Sequence, residues 1–225
     1  ATSMAACGSV RFIWSENDAE VRLNIPAPSE IKSGARHIRV TGGYPFAGDV
    51  RAEILAEGDF AFSLRIPGWC RKFAVARNGR KVAAKPADGY VTLAGLWKEG
   101  DVVDLALDMP VQTLRAHAAV DDDAGKIALA RGPLVYAFES VDNGDRLHNL
   151  IVPADQEFKL GIVQKLPDWA VTISGDAFVA ARPGDDLYSI AAPKLRKCRF
   201  TAIPYALWQN RGSGEMTVWV RELMK

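Results

Sequence analysis

The sequence predicts an all-β protein built from two antiparallel, jelly-roll-like β-sandwich domains. Three observations predict this class: apolar residues recur at every second position in several runs, turn signals separate those runs, and helical periodicity is scarce. A chain of 225 residues with 48% hydrophobic residues can form two packed cores of ordinary domain size. We place the boundary at Pro110, which gives domains at residues 1–110 and 111–225.

The strand predictions follow the alternation along the chain. In DFAFSLRI, for example, Phe60, Phe62 and Leu64 fall on one face, and the polar Ser63 and Arg65 fall on the other. One apolar and one polar face is typical of antiparallel sheets. The runs with this pattern are EVRLNI (20–25), DFAFSLRI (59–66), DVVDLALDMP (101–110) and EMTVWV (215–220).

The connections between the runs carry turn residues. Asn78-Gly79 lies between FAVAR and RKVAA and predicts a two-residue hairpin, because both central positions of such a turn need a positive φ. Asp88-Gly89 and Gly100-Asp101 predict further turns. The acidic run 121–123 is interpreted as a solvated turn, since the ligand spacing of a calcium loop is absent. A short helix is expected only at residues 154–166.

Charge and composition exclude several classes of function. Lys and Arg total 28 against 27 for Asp and Glu, so no basic excess is present to neutralise a nucleic-acid backbone. No apolar run reaches the length of a membrane span. The three cysteines and three histidines are widely spaced, which predicts neither a disulfide framework nor a metal site. We expect no cofactor, no nucleic-acid partner and no membrane association, and the compartment stays open.

Two groups of residues could carry catalysis. Cys70, at the end of an apolar run, is interpreted as a buried, inert thiol, and Cys198 lies between basic residues that would favour a thiolate. Glu139 and Asp142 are the most tempting carboxylate pair, because glycosidases need two such groups. The alternative, which we favour, is that Glu139 closes a strand and Asp142 opens the turn at Asn143-Gly144.

The aromatic residues offer a binding surface instead. Six Trp residues are present, and exposed Trp or Tyr side chains can stack on sugar rings. Most of them suit core packing, but Trp208 follows Tyr205 in a segment that is otherwise polar and glycine-rich. The predicted contact residues, for carbohydrate or for a domain interface, are Tyr205, Trp208, Asn210, Arg211 and Glu215.

Four stretches resemble glycoside hydrolase family 127, whose members include β-L-arabinofuranosidases. The stretches are LRIPGWC (64–70), GYVTLAGLWKEGDVVDLALDMP (89–110), ARGPLVYAFESVDN (130–143) and AIPYALWQNRGSGEMTVWV (202–220). The resemblance implies the β-sandwich region that follows an (α/α)6 catalytic barrel in that family. It also implies that catalysis, by a cysteine near zinc with a separate acid/base Glu, belongs to the barrel. The family's adjacent-cysteine motif followed by prolines is missing here, and Cys70 does not match the nucleophile.

The sequence therefore favours a non-catalytic β-sandwich portion of a family 127-like glycoside hydrolase. Its expected partner is the catalytic (α/α)6 barrel of the parent chain, with carbohydrate as a second candidate. An independent carbohydrate-binding module is the alternative. A small glycosidase that uses Glu139 and Asp142 is the third hypothesis, and we expect no activity from this chain alone.

Overall fold

The computed structural model of the protein describes residues 12–163, 166–167, 170–181, 188 and 190–223. Strands dominate these residues, which confirms the all-β class. The chain divides into two compact units, Ala1–Met109 and Pro110–Lys225. Each unit has its own hydrophobic core.

Unit 1 contains a four-stranded and a six-stranded sheet. The first sheet has the order β1-β2-β6-β9, and the second has the order β3-β4-β5-β10-β7-β8. The strands are β1 (Trp14–Glu16), β2 (Glu20–Leu23), β3 (Ser29–Ser33), β4 (Arg36–Gly42), β5 (Asp49–Ile54), β6 (Gly58–Arg65), β7 (Phe73–Arg77), β8 (Arg80–Val82), β9 (Tyr90–Trp97) and β10 (Val102–Leu107). Apolar residues of both sheets meet in one core, so the unit is a β-sandwich.

The alternation predicted for unit 1 is present in the core. Phe60, Phe62 and Leu64 of β6 are buried and Arg65 is exposed, as predicted. Ser63, predicted on the polar face, is also fully buried, and its hydroxyl donates to the Glu20 carboxylate. Trp97 is 1% exposed, and its indole Nε1 donates to the Phe60 carbonyl at 2.9 Å. Burial of such large apolar side chains, at roughly 25 cal/mol per Å² of apolar surface, is the main favourable contribution to folding.

The predicted Asn78-Gly79 hairpin joins β7 to β8. Asn78 and Gly79 have φ values of 50° and 75°, as a tight two-residue turn requires. The Asn78 side chain also reaches β10, where its Oδ1 accepts from the Val102 N–H at 2.8 Å. The turn is therefore tied to the neighbouring strand as well as to its own hairpin.

In unit 2 the strand pairings form a closed ring. The elements are β11 (Val111–Leu114), β12 (Lys126–Arg131), β13 (Leu134–Glu139), α1 (Ser140–Asn143), β14 (Leu150–Val152), β15 (Lys159–Gly161), β16 (Thr172–Ala181), β17 (Lys194–Pro204), β18 (Met216–Thr217) and β19 (Val220–Glu222). Short 3₁₀ turns lie at Asp121–Asp123, Leu147–Asn149 and Tyr205–Leu207. The ring runs β12-β19-β14-β16-β17-β13 and returns to β12.

The core of unit 2 fills this ring. Its largest fully buried side chains are Tyr136 and Phe138 of β13 and Phe200 of β17. The Phe138 and Phe200 ring centroids lie 5.4 Å apart in a tilted arrangement that aromatic pairs favour. The Tyr136 hydroxyl donates to the Val171 carbonyl at 3.0 Å, so the polar end of this buried side chain is satisfied.

Two local predictions for unit 2 were wrong. No helix occupies the described part of residues 154–166; instead β15 pairs with β16, and the Gln156 side chain binds the backbone of Pro153 and Asp176. The run EMTVWV is broken into β18 and β19, because β18 pairs with β13 whereas β19 pairs with β12 and β14. Alternation alone does not reveal which neighbour a strand will choose.

Candidate functional site

The predicted contact residues lie in the segment that joins β17 to β18. Tyr205 is the first residue of the 3₁₀ turn after β17, and Trp208 directly follows the turn as its C-cap. Leu207 between them is 9% exposed and packs with Ile203 in a small apolar cluster. This anchor fixes the start of the segment and leaves Tyr205, at 45% exposure, on the surface.

Arg211 points into unit 2 rather than to the surface. Its Nη1 donates to Oδ1 of Asp142 at 3.0 Å, and its Nη2 donates to Oδ2 of Asp142 and to Glu139. The Arg211 side chain is only 4% exposed, and those of Glu139 and Asp142 are 8% and 16% exposed. Arg211 was predicted to offer hydrogen bonds to an outside partner. In the structure these hydrogen bonds are made within unit 2, to Asp142 and Glu139.

Burial and ion pairing act in opposite directions on Arg211. Removal from water lowers the pKa of its guanidinium, but the hydrogen bonds to Asp142 and Glu139 outweigh this, and the pKa is raised. The guanidinium thus stays charged and holds both carboxylates. Its Nε is buried and has no hydrogen-bond partner among the described residues.

Glu139 and Asp142 come together, but as ligands of Arg211. Glu139 is the last residue of β13, as predicted, and its second oxygen accepts from the Gln209 N–H at 2.7 Å. Asp142 lies in the one-turn helix α1. With every carboxylate oxygen engaged by a donor, the pair is arranged to hold a loop and not to transfer a proton to a substrate.

Further bonds clamp the end of the same segment. The Glu215 N–H donates to the Ser140 hydroxyl at 3.0 Å, and the Ser140 N–H donates to the Glu215 carbonyl at 2.9 Å. The Glu215 carboxylate accepts from the Leu147 N–H at 3.0 Å. At Gly214 a Cβ would lie 2.4 Å from the Ser140 hydroxyl, so a larger residue would displace that hydroxyl from its bond to the Glu215 N–H. Sequence reasoning missed Ser140, whose partner lies 75 residues away.

The side chains that remain available form what we call the loop surface, defined as Val141, Tyr205, Trp208 and Asn210. Val141 is 63% exposed, Trp208 is half-buried and Asn210 is exposed. Val141 and Trp208 line a shallow depression of about 10 Å³, which is scarcely room for one water molecule. The loop surface therefore suits contact with another surface better than enclosure of a small ligand.

A larger open cavity lies in unit 1 and was not foreseen. Its volume is about 590 Å³. Its lining residues are Glu16, Asn17, Asp18, Ser33, Gly34, Ala35, Arg36, Gly58, Asp59 and Phe60. Arg36 donates to the carbonyls of Asn17 and Asp18 and fixes the wall of the cavity. The carboxylates of Asp18 and Asp59 have no hydrogen-bond or ion-pair partner among the described residues.

Neither described cysteine has the surroundings of a nucleophile. Cys70 is 9% exposed, its Sγ donates to the Lys72 carbonyl at 3.0 Å, and burial raises the pKa of its thiol. Burial also raises the pKa of Cys198, and the opposing influence of Arg196 is smaller. The basic neighbour thus favours the thiolate of Cys198, as the sequence suggested, but desolvation outweighs it.

The described residues contain neither a group of metal ligands nor a helix that could span a membrane. Among them, no three His, Cys, Asp or Glu side chains are grouped so that they could hold a metal ion. Nor does any helix in the described part of the chain combine the length and the apolar character needed to cross a bilayer.

Comparison with known families assigns nearly the whole chain. The family model described as "Beta-L-arabinofuranosidase, GH127 middle domain" matches residues 18–109. The model described as "Glycoside hydrolase family 127 C-terminal domain" matches residues 111–221.

Individual relatives agree with this assignment. A non-reducing end β-L-arabinofuranosidase of Bifidobacterium longum is 33% identical over 94% of this chain and 34% of its own length. The crystal structure of a GH127 β-L-arabinofuranosidase from Geobacillus stearothermophilus T6 is 36% identical, with a TM-score of 0.85 over 95% of this chain and 35% of that one. A GH127 β-arabinofuranosidase structure is 29% identical, with a TM-score of 0.82 over 94% and 36% of the two chains. The chain spans about a third of the length of the relatives it matches.

Proposed function

Because this chain belongs to glycoside hydrolase family 127 through that family's middle and C-terminal domains, we propose that it is the non-catalytic β-sandwich portion of a β-L-arabinofuranosidase-like enzyme. Its role is to support a catalytic barrel in the same protein, which it contacts through the loop surface. The two modules, at residues 1–110 and 111–225, act as separate domains.

The share of the relatives that this chain covers carries the proposal. The matched relatives are about three times as long, and the chain corresponds to 34% of the Bifidobacterium enzyme. The remaining two thirds of such a protein is large enough for a catalytic domain of its own. The descriptions of the two matching models, a middle and a C-terminal domain, support a position after that part of the protein.

The carboxylates support a structural role for this portion. Glu139 and Asp142 are the pair that best suited a glycosidase in the sequence, and both are held by the buried Arg211. To act as a general acid, either carboxylate would first have to take up a proton, and the guanidinium would then lose one of its charged partners in a poorly hydrated site. We therefore expect a scaffold and no hydrolysis from these residues.

The loop surface has the properties of a docking patch. Its backbone is fixed by the Arg211 and Glu215 contacts, so little conformational entropy is lost when a partner binds. Tyr205 and Trp208 offer aromatic contact area, a type enriched at the centres of interfaces. Asn210 supplies hydrogen-bonding groups beside them.

Substitutions in a protein that carries both this chain and the barrel test the proposal. Tyr205→Ala combined with Trp208→Ala should lower the melting temperature of the barrel and reduce hydrolysis of an aryl β-L-arabinofuranoside. Tyr188→Ala is the matched control, because Tyr188 is an aromatic residue of unit 2 that is 91% exposed. Unchanged stability and activity in the double variant would contradict docking through the loop surface.

Carbohydrate binding by the chain itself is the second candidate. The cavity of unit 1 favours it, because the unpartnered carboxylates of Asp18 and Asp59 can accept hydrogen bonds from sugar hydroxyls. Titration with arabinose oligosaccharides should then perturb the Asp18 and Asp59 NMR signals, and Asp18→Asn with Asp59→Asn should weaken binding. No shift at millimolar sugar would remove this candidate.

A further inference from the structure

The distal half of β17 is a concentrated positive surface. Four of the six residues from 194 to 199 are cationic, in a chain whose formal net charge is only +1. The exposed side chains of this group are Lys194, Arg196, Lys197 and Arg199, and we call them the basic strand. Like charges so close together repel one another, so their placement calls for a partner that offsets the repulsion.

The four cations lie on both faces of the hairpin formed by β16 and β17. Lys197 pairs with Phe178 and Arg199 with Asp176, whereas Arg196 pairs with Val179 on the opposite face. Successive side chains of a strand alternate between faces, so Lys194 shares the face of Arg196. The positive charge therefore surrounds the strand and does not form one flat patch.

Little of this charge is neutralised within the described residues. Arg199 Nη1 lies 3.3 Å from Asp176 Oδ1, in a pair whose side chains are 56% and 77% exposed. Such exposed pairs are weak and easily exchanged. Lys194, Arg196 and Lys197 have no ion pair in the described part of the chain. They are available to an external anion.

We propose that the basic strand binds a linear carboxylated polysaccharide. Charge complementarity selects a polyanion, and the distribution over two faces favours a flexible chain that can wrap the hairpin over a rigid protein surface, which would meet one face only. The choice of polysaccharide over nucleic acid rests on the proposed function, because a glycoside hydrolase acts on carbohydrate, and on the net charge of only +1, which is poorly suited to a nucleic-acid backbone. The basic strand would then hold the enzyme on acidic regions of a polymer while the barrel acts elsewhere.

Affinity chromatography and calorimetry on the 225-residue chain test the proposal, with polygalacturonate as the probe. Binding should be measurable at low ionic strength and should weaken as salt rises, since counterions compete with the carboxylates. The quadruple variant K194Q/R196Q/K197Q/R199Q should bind at least about 10-fold more weakly, because it removes all four cations that attract the carboxylates. The four substitutions should not change the affinity for a neutral arabinan, because it carries no charge for the basic strand to attract.

The control variant removes the same charge elsewhere. Lys32, Lys81, Lys85 and Lys98 are exposed residues of unit 1, and K32Q/K81Q/K85Q/K98Q changes the net charge equally. This control should bind polygalacturonate as the unmodified chain does, and thermal unfolding checks that both variants are folded. Equal losses in the two variants, or no binding at low salt, would overturn the proposal.

Two further outcomes are distinguishable. Tighter binding of duplex DNA than of polygalacturonate would overturn the assignment to a polysaccharide. Retained polygalacturonate binding in a protein whose barrel is indifferent to the Tyr205 and Trp208 substitutions would support the basic strand while contradicting the proposed docking role. Loss of polygalacturonate binding, in a protein whose barrel still responds to the Tyr205 and Trp208 substitutions, would reject the proposal for the basic strand and leave the docking proposal standing.

Discussion

Arg211 and Asp142 form a two-bonded ion pair across 69 residues of sequence, with Nη1 to Oδ1 at 3.0 Å. Asp142 belongs to the helical turn α1 that follows β13, and Arg211 belongs to the segment that follows β17. Glu139 completes the group from the end of β13. The pair therefore joins the turn after β13 to the segment before β18, which the pairing of Glu139 with Met216 brings together.

Removal of the guanidinium should strongly destabilise unit 2. Arg211→Met leaves the carboxylates of Glu139 and Asp142 buried without a counter-charge, which costs about 3–5 kcal/mol of unfolding free energy. Urea unfolding followed by circular dichroism measures the change. Arg199→Met is the matched control, because its pair with Asp176 is exposed and should cost less than about 1 kcal/mol. Similar losses in the two variants would contradict a structural role for the buried pair.

The turn between β7 and β8 depends on backbone conformation and not on space. Gly79 has a φ of 75° and no neighbouring atom within 4 Å of an added Cβ. Gly79→Ala should therefore cost about 1 kcal/mol through the left-handed conformation alone. Gly68 has equally open surroundings without a positive φ, so Gly68→Ala should be neutral or slightly stabilising. Thermal unfolding compares the stability of the two variants. If Gly68→Ala lowered the melting temperature more than Gly79→Ala, this explanation would be contradicted.

Trp97 combines apolar burial with two polar contacts. Its Nε1 donates to the Phe60 carbonyl at 2.9 Å, and the Arg77 guanidinium lies 3.8 Å from the indole centroid. Trp97→Phe should cost about 2 kcal/mol or more, because it removes a buried hydrogen bond, leaves a smaller ring in the core and weakens the cation–π contact. Trp208→Phe should change the unfolding free energy little, since Trp208 is only half-buried. Comparable effects in chemical denaturation would contradict a specific contribution of the Trp97 burial, hydrogen bond and cation–π contact.

Asp101 makes the stability of unit 1 sensitive to acid. Hydrogen bonds from Arg77 and Asn78 and from the Lys98 N–H lower the pKa of Asp101 from 3.8 to about 2. A depressed folded-state pKa stabilises the fold fully above pH 4, and this contribution is lost as the pH falls from 4 through 2. Asp101→Asn should remove on the order of 1 kcal/mol at pH 7 but little at pH 2.

The control for this acid dependence is Asp59→Asn, which removes an exposed carboxylate without a partner among the described residues. Its stability should follow that of the unmodified chain between pH 2 and pH 5, as monitored by circular dichroism. A parallel acid profile for Asp101→Asn and the unmodified chain would contradict the assignment to Asp101.

Local patterns predicted the strands because their physical cause is local. The period-two alternation of Phe60, Phe62 and Leu64 follows from the geometry of a single strand, and the Asn78-Gly79 turn follows from two φ angles. The family resemblance, also confirmed, rested on motifs that are contiguous in sequence.

The candidate site was harder to predict, because its causes are distant. Tyr205 was expected on the surface and is there, but Arg211 turned inward to partners 69 and 72 residues away. The acidic character of ESVDN and the isolated basic residue in QNRGSG were the available signal. It could have suggested an ion pair only if the pairing of β13 with β18 had been known, because that pairing brings the segment before Met216 to Glu139.

The position of β19 has a consequence for how the protein matures. This last strand lies between β12 and β14, and it joins the latter in parallel register. While the polypeptide is still emerging from a ribosome, the second unit lacks a member in the middle of its ring, and the neighbouring edges stay open to mispairing. Unit 1, whose strands are all translated earlier, can reach its native state during synthesis, whereas unit 2 can close only after residues 220–222 have been released.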